Sequence, residues 1–151
     1  MKRFFSNRIL PIVFMCACAL ALSTKPLYAI QDGDIVTIIN RNNNKDFYIK
    51  ASSSFIGYSI SYSESYEINC LWIVKKHDGG QYYFESLVYN GYYIKASDND
   101  NQKIEFSQTG SLFSFEGNNT PNIANGTLTY TGKSNTYNIV FDGGWRTYKD
   151  A

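Results

Sequence analysis

The chain contains one pentapeptide twice: Tyr-Ile-Lys-Ala-Ser occupies residues 48–52 and, unchanged, residues 93–97. The two copies begin 45 residues apart, and an aromatic residue, Phe47 or Tyr92, precedes each of them. A fixed period of this length indicates that one supersecondary unit is repeated, and that each unit needs its neighbours to bury its apolar face. The repeat therefore governs the expected architecture, and it favours a repeated binding scaffold over an enzyme.

The first 29 residues have the pattern of a secretory signal peptide. Basic residues at Lys2 and Arg3 are followed by an apolar run over 9–22, and the segment closes on the small residue Ala29. The apolar run is shorter than the roughly 20 residues of a membrane-spanning helix, so we expect cleavage after Ala29 rather than an anchor. A lipoprotein leader modified at Cys18 is a further alternative. We expect a secreted protein, or a periplasmic or cell-surface one.

The remainder, residues 30–151, has the size of one domain. Four of the 14 Lys and Arg residues fall in the leader, which leaves ten against 13 Asp and Glu and a formal charge of −3. This weakly acidic balance argues against nucleic acid or an anionic membrane as the main partner. Cys70 is the only cysteine after the leader, so no intrachain disulfide is expected, and its apolar neighbours predict a small buried residue.

Strand signals dominate the domain. No window of eleven or more residues shows a helical apolar period, and clusters of Asn, Asp and Gly separate the apolar runs. Short strands divided by such turns are typical of an all-β sandwich or barrel. The clearest strand candidates are 35–39, 58–62, 71–74, 82–86, 103–106, 113–116, 127–130 and 137–141.

A third, degenerate copy of the repeat follows the first two. A shift of 45 residues sets Tyr137-Asn138-Ile139 against residues 92–94. Three units of about 45 residues, each with four strands, resemble a β-trefoil, and more narrowly the ricin-type lectin superfamily. The resemblance implies one trefoil domain over 30–151 with an abbreviated third unit, because the last strand of that unit would lie beyond Ala151. A β-sandwich or another small barrel is the alternative.

The sugar site of that superfamily is not matched. Ricin-type lectins carry Gln-x-Trp near the end of each unit, and here Trp72 keeps the Trp once while the Gln is absent. Such lectins also place a sugar-binding Asp just after the start of the aromatic-Ile strand, where this chain has Lys50, Lys95 and Val140. The resemblance therefore implies the fold and not the usual galactose site.

Catalytic patterns are missing from the sequence. The single histidine, His77, lies in a cationic turn, and no nucleophile elbow, phosphate loop or zinc-protease motif occurs. The polar run 98–101 has oxygen ligands suited to calcium, but it lacks the glycine and the distal glutamate of the helical calcium loop. We expect no enzyme activity, no cofactor and no metal.

The most site-like stretch combines an acid, a flexible turn, an aromatic ring and a cation. It contains Asp142, Trp145 and Arg146, and we expect these three residues and Tyr92 to bind ligand. Aromatic faces stack on sugar C–H groups while acids and amides take the hydroxyls, so carbohydrate is the favoured ligand of a secreted, non-catalytic binding module. The alternative interpretation of the turn is a hairpin that returns Trp145 to the core.

A second functional hypothesis is a protein-interaction or protease-inhibitor domain whose partner is an extracellular protein. A loop that projects alone, such as 55–58 or 118–125, would serve it, whereas a shallow face with Trp145 or Tyr92 exposed would favour sugar.

Overall fold

The computed structural model describes residues 30–119 and 124–150, and the expected signal peptide lies outside them. These residues form strands and one short 3-10 helix, Ile68–Cys70. Within them, no helix has the length and apolarity needed to cross a membrane. The strands are β1 (Ile35–Val36), β2 (Ile39–Asn42), β3 (Lys45–Ser54), β4 (Gly57–Ser63), β5 (Trp72–His77), β6 (Gln81–Ser86), β7 (Tyr93–Lys95), β8 (Gln102–Lys103), β9 (Glu105–Ser107), β10 (Phe113–Asn119), β11 (Ala124–Thr131), β12 (Thr136–Phe141) and β13 (Trp145–Lys149).

The strands form two sheets in which all pairings are antiparallel. The larger sheet has the order β1-β5-β6-β10-β11-β12-β13-β8, and β7 joins it by pairing with β6 and β9. The smaller sheet has the order β2-β3-β4. The predicted all-β class is confirmed.

The 45-residue period reappears as equal burial at matching positions. Ile49, Ile94 and Ile139 are all buried in one core. Tyr48 and Tyr93, which precede Ile49 and Ile94 in the repeat, are only half-buried. Successive side chains of a strand point to opposite faces, so a tyrosine beside a buried isoleucine lies on the outer face.

The lysines of the repeated pentapeptide point away from the core and meet carboxylates. Lys50 Nζ lies 2.6 Å from Glu67 Oε2, and Lys95 Nζ lies 3.5 Å from Glu105 Oε2. Ser63 also donates a hydrogen bond of 2.6 Å to Glu67 Oε1. The pentapeptide thus has a structural role: its isoleucine faces the core, and its lysine forms an ion pair on the outer face.

Trp72 connects the two sheets. Its side chain is fully buried, and its Nε1 donates a hydrogen bond of 3.2 Å to the carbonyl oxygen of Ile49 in the smaller sheet. The indole also packs edge-on against Phe106, with ring centroids 5.9 Å apart. Next to it, Cys70 is free and buried, as predicted.

Removal of the Trp72 ring should destabilise the protein more than any other single truncation of the core. We expect Trp72→Ala to lower the free energy of unfolding by about 3–5 kcal/mol. Trp72→Phe should cost about 1–3 kcal/mol, since it leaves a buried carbonyl unpaired. Urea unfolding measures both, with Tyr66→Ala at an exposed position as the control. A loss below about 1 kcal/mol for Trp72→Ala would contradict this role of the indole.

Low pH should lower the stability of the fold, partly through protonation of Glu67. Hydrogen bonds from Lys50 and Ser63 hold the pKa of Glu67 below its ordinary value of 4.5. Because the folded pKa is the lower one, the carboxylate stabilises the fold at neutral pH, and this contribution is lost as the pH falls through the folded pKa. Glu67→Gln should therefore lower the melting temperature at neutral pH and converge with the unaltered chain in acid. Lys50→Met should show the same convergence, and a difference independent of pH would refute the explanation.

Candidate functional site

The turn predicted to bind ligand is a hairpin whose tryptophan returns to the core. Trp145 is 4% exposed and packs against Phe141, with ring centroids 5.9 Å apart. Phe141 in turn stacks on Phe47 at 4.1 Å. The Trp145 ring therefore has no open face for a sugar. The turn matches the alternative interpretation, a hairpin that returns Trp145 to the core. The indole Nε1 has no hydrogen-bond partner among the described residues.

Asp142 and Arg146 remain at the surface, where other residues of the chain engage them. Tyr148 donates a hydrogen bond of 2.5 Å to Asp142 Oδ2, and this bond raises the pKa of the Tyr148 phenol. Arg146 donates to the carbonyl oxygen and to Oδ1 of Asn101, at 3.0 and 3.1 Å. These contacts close the turn and hold it to the loop before β8. Ligand binding by Asp142 and Arg146 stays a prediction.

The loop that contains Asn101 is the polar run considered for calcium, and its oxygens accept hydrogen bonds from the protein. Asp98 Oδ1 accepts from the Tyr130 hydroxyl at 2.8 Å, and Asp100 Oδ1 accepts from the Lys149 amide at 2.7 Å. No cluster of three His, Cys, Asp or Glu suited to a metal ion occurs among the residues that the structure describes.

Tyr92 belongs to a different cluster of rings. Its centroid lies 4.4 Å from that of Tyr58 and 5.3 Å from that of Phe106. Tyr89 contacts Tyr58 and Phe106 from the same side, at 5.3 and 5.8 Å. The four predicted site residues are therefore divided between a hairpin turn and an aromatic cluster, and no contact joins Tyr92 to the turn in the described part of the chain.

A groove that the sequence did not point to lies beside the second copy of the repeat. It has a volume of about 350 Å³ and is lined by Lys75, Tyr83, Tyr93, Thr109 and Gly110. Tyr83 stands on β6 and Tyr93 on β7, and their rings meet edge to face with centroids 6.2 Å apart. Both rings are half-buried, so each keeps part of its surface open to the groove.

Glycine at position 110 lets the two tyrosines pack closely against its backbone. A Cβ atom added there would lie 2.8 Å from Tyr93 Cβ and 3.0 Å from Tyr83 Cδ1. Real Cβ atoms do not approach carbon so closely, so any larger residue would displace a tyrosine. Gly110 thus lines the groove in close contact with both tyrosines.

The groove carries little net charge because its lysine has a partner. Lys75 Nζ lies 3.4 Å from Glu85 Oε2, and the Glu85 side chain is 8% exposed. Glu85 Oε1 also accepts a hydrogen bond of 2.8 Å from the Gly91 amide. His77 lies beyond Tyr83, with ring centroids 6.0 Å apart. Lys75 and the hydroxyls of Thr109 and the tyrosines are the polar groups that a ligand would meet.

A second concave site has different chemistry. It has a volume of about 400 Å³ and is lined mainly by charged and polar side chains, with Tyr48 as its single ring. Its charges are paired, Arg41 with Asp46 at 2.6 Å and Lys45 with Glu64 at 2.9 Å. Because binding sites for small molecules combine apolar rings with a few polar groups, we favour the Tyr83–Tyr93 groove.

Comparison of the chain with protein-family models, with curated proteins and with solved structures finds no match.

Replacement of Gly110 should close the groove and strain the strands around it. We expect Gly110→Ala to lower the free energy of unfolding by about 1–3 kcal/mol, because the added methyl group overpacks against Tyr93 and Tyr83. Urea unfolding gives the loss, and exposed Thr109→Ala is the neighbouring control, expected within about 0.5 kcal/mol of the unaltered chain. Equal stability of Gly110→Ala and the unaltered chain would show that the rings move aside freely.

Proposed function

We propose that this chain is a secreted, non-catalytic binding module that holds a carbohydrate in the groove between Tyr83 and Tyr93. One observation supports it above the others: two half-buried tyrosine rings, packed closely against Gly110, line one groove. Aromatic faces offer sugars an apolar surface for their C–H groups, and this is the type of contact that the sequence composition favours.

The groove suits a short, uncharged segment of a glycan. Its volume of about 350 Å³ is at the lower end of the usual range for small-molecule sites. Lys75 is paired with Glu85, so an acidic sugar gains little from the lysine, whereas sugar hydroxyls can bond to its ammonium group and to Thr109. A neutral ligand also agrees with the weakly acidic balance of the domain.

The finer fold assignment, a β-trefoil, is part of the same proposal. In the first unit β1 pairs with β5, and in the second unit β6 pairs with β10, so the first and last strands of both units pair alike. Buried isoleucines at one position of each unit also support three equivalent units. In the third unit, a shift of 45 residues sets β11, β12 and β13 against β6, β7 and β8 of the second unit.

The protein-interaction or protease-inhibitor hypothesis depends on other residues. Of its two candidate loops, 55–58 is the tip of the β3–β4 hairpin, and 118–125 includes residues outside the described part of the chain. Because neither loop contributes to the groove, mutations can separate the two hypotheses.

Truncation of either groove tyrosine should weaken glycan binding. We expect Tyr83→Ala and Tyr93→Ala each to raise the dissociation constant at least tenfold, about 1.4 kcal/mol, as ring contact with the sugar is lost. Affinity electrophoresis in gels that contain neutral polysaccharides identifies the ligand, and titration calorimetry with its oligosaccharides gives the constant.

Two controls make this test specific. Tyr66→Ala removes a tyrosine that is 63% exposed and lies outside the groove, and it should leave the dissociation constant unchanged. Arg146→Ala tests whether the turn 142–146, where the sequence predicts a binding site, contacts the ligand. Loss of binding in Arg146→Ala, with Tyr83→Ala unaffected, would place the ligand at that turn, and failure of the unaltered chain to bind any polysaccharide would reject the carbohydrate proposal.

A further inference from the structure

The tip of the β3–β4 hairpin exposes two large apolar side chains side by side. Phe55 and Ile56 have relative exposures of 107% and 96%, so neither packs against the rest of the chain. The two strands of the hairpin stay paired from Tyr48 opposite Ser63 to Ser54 opposite Gly57. A paired hairpin of this length carries its apolar tip outward into solvent, and adjacent exposed apolar side chains of this kind mark interaction sites.

The hairpin is held in place near its tip. Gly57 closes the turn with φ of 134°, a conformation that other residues rarely adopt. The Ser53 hydroxyl lies 2.9 Å from the Tyr89 hydroxyl, and the Tyr58 ring contacts those of Tyr89 and Tyr92. The tip is therefore presented in one orientation before any partner arrives, which lowers the entropic cost of binding.

The hairpin has no charged residue near its tip. No Asp, Glu, Lys or Arg occurs between residues 51 and 63. The charges that flank this stretch are paired at the base of the hairpin, Lys50 with Glu67 at 2.6 Å and Glu64 with Lys45 at 2.9 Å. The segment 51–63 itself therefore presents no charged side chain to a partner.

The exposed side chains change from apolar to amphipathic with increasing distance from the tip of the hairpin. Phe55 and Ile56 come first, and Tyr58 follows with 47% of its surface exposed. Tyr89 and Tyr92 support Tyr58, and Val88 beside them is 41% exposed. This is the order of side chains found where proteins enter a bilayer, with apolar residues in the acyl region and tyrosines at the level of the headgroups.

We propose that the β3–β4 hairpin docks the protein on the surface of a lipid bilayer with zwitterionic headgroups. Phe55 and Ile56 enter the acyl boundary, and the tyrosines Tyr58, Tyr89 and Tyr92 lie among the headgroups. The convex, uncharged tip favours a bilayer over a protein cleft, because a bilayer adapts to it without the directional polar contacts that a specific protein interface uses. This docking is independent of the proposed glycan groove.

Vesicle sedimentation with the chain 30–151 tests the proposal. We expect the protein to partition onto phosphatidylcholine vesicles and the double variant Phe55→Ser/Ile56→Ser to lose at least tenfold in partition coefficient, since both apolar side chains leave the acyl region. Added phosphatidylserine and added salt should change the partitioning less than twofold, because the tip has no charge.

The control is Tyr66→Ser/Ile68→Ser, which removes an exposed aromatic and an exposed isoleucine side chain, 63% and 64% exposed. They follow β4 at the end far from the tip, about 20 Å away at about 3.3 Å per residue. Partitioning of this control, and of Tyr83→Ala, should stay within twofold of the unaltered chain. Melting temperatures of all variants verify that they fold.

The single variant Phe55→Trp locates the tip directly and does not depend on folding of the double variant. Its indole fluorescence should shift to the blue on phosphatidylcholine vesicles and be quenched by brominated acyl chains. Four outcomes would each overturn the proposal: absence of partitioning by the unaltered chain, an equal loss in the Tyr66→Ser/Ile68→Ser control, a requirement for phosphatidylserine, or an unquenched signal from the Phe55→Trp variant on the vesicles. Each would favour a protein cleft as the partner of the hairpin.

Discussion

The hydrogen bond from the Trp72 indole to the carbonyl oxygen of Ile49 is the constraint on which the rest of this structure depends. It joins the larger sheet to the smaller one at the point where both residues are fully buried. A buried indole N–H and a buried carbonyl oxygen each need a partner, and here each satisfies the other. This hydrogen bond therefore ties β3 of the smaller sheet to β5 of the larger one.

The alternation of side chains along each strand produces the outer surface. Once Ile49 and Ile94 face the core, Tyr93 and the two lysines of the repeat must face outward, and the lysines find Glu67 and Glu105. On β6, Phe84 is buried while Tyr83 faces out and meets Tyr93. The proposed glycan groove is thus a consequence of core packing, since its rings are those that the core excludes.

Part of the candidate site could be predicted and part could not. Composition points to the turn 142–146, but it cannot tell whether a tryptophan after two glycines faces solvent or core, and contact with Phe141 places Trp145 inside. Tyr92 is a candidate because it precedes the repeat, yet it packs with Tyr58 and Phe106. The doubled tyrosines 82–83 and 92–93 were the available signal for the groove, because neighbouring strand residues point to opposite faces, so one ring of each pair faces away from the core.

The sequence by itself determined the all-β class and the 45-residue period, because the first follows from local residue patterns and the second from identical residues at a fixed spacing. It also determined that the region around Phe55 and Ile56 lacks charge. Only the tertiary structure decided which outward side chains meet, since Lys75, Tyr83, Tyr93 and Gly110 come from separate segments. Their meeting depends on strand pairing and register, which result from packing across the whole core and are not encoded in any local pattern.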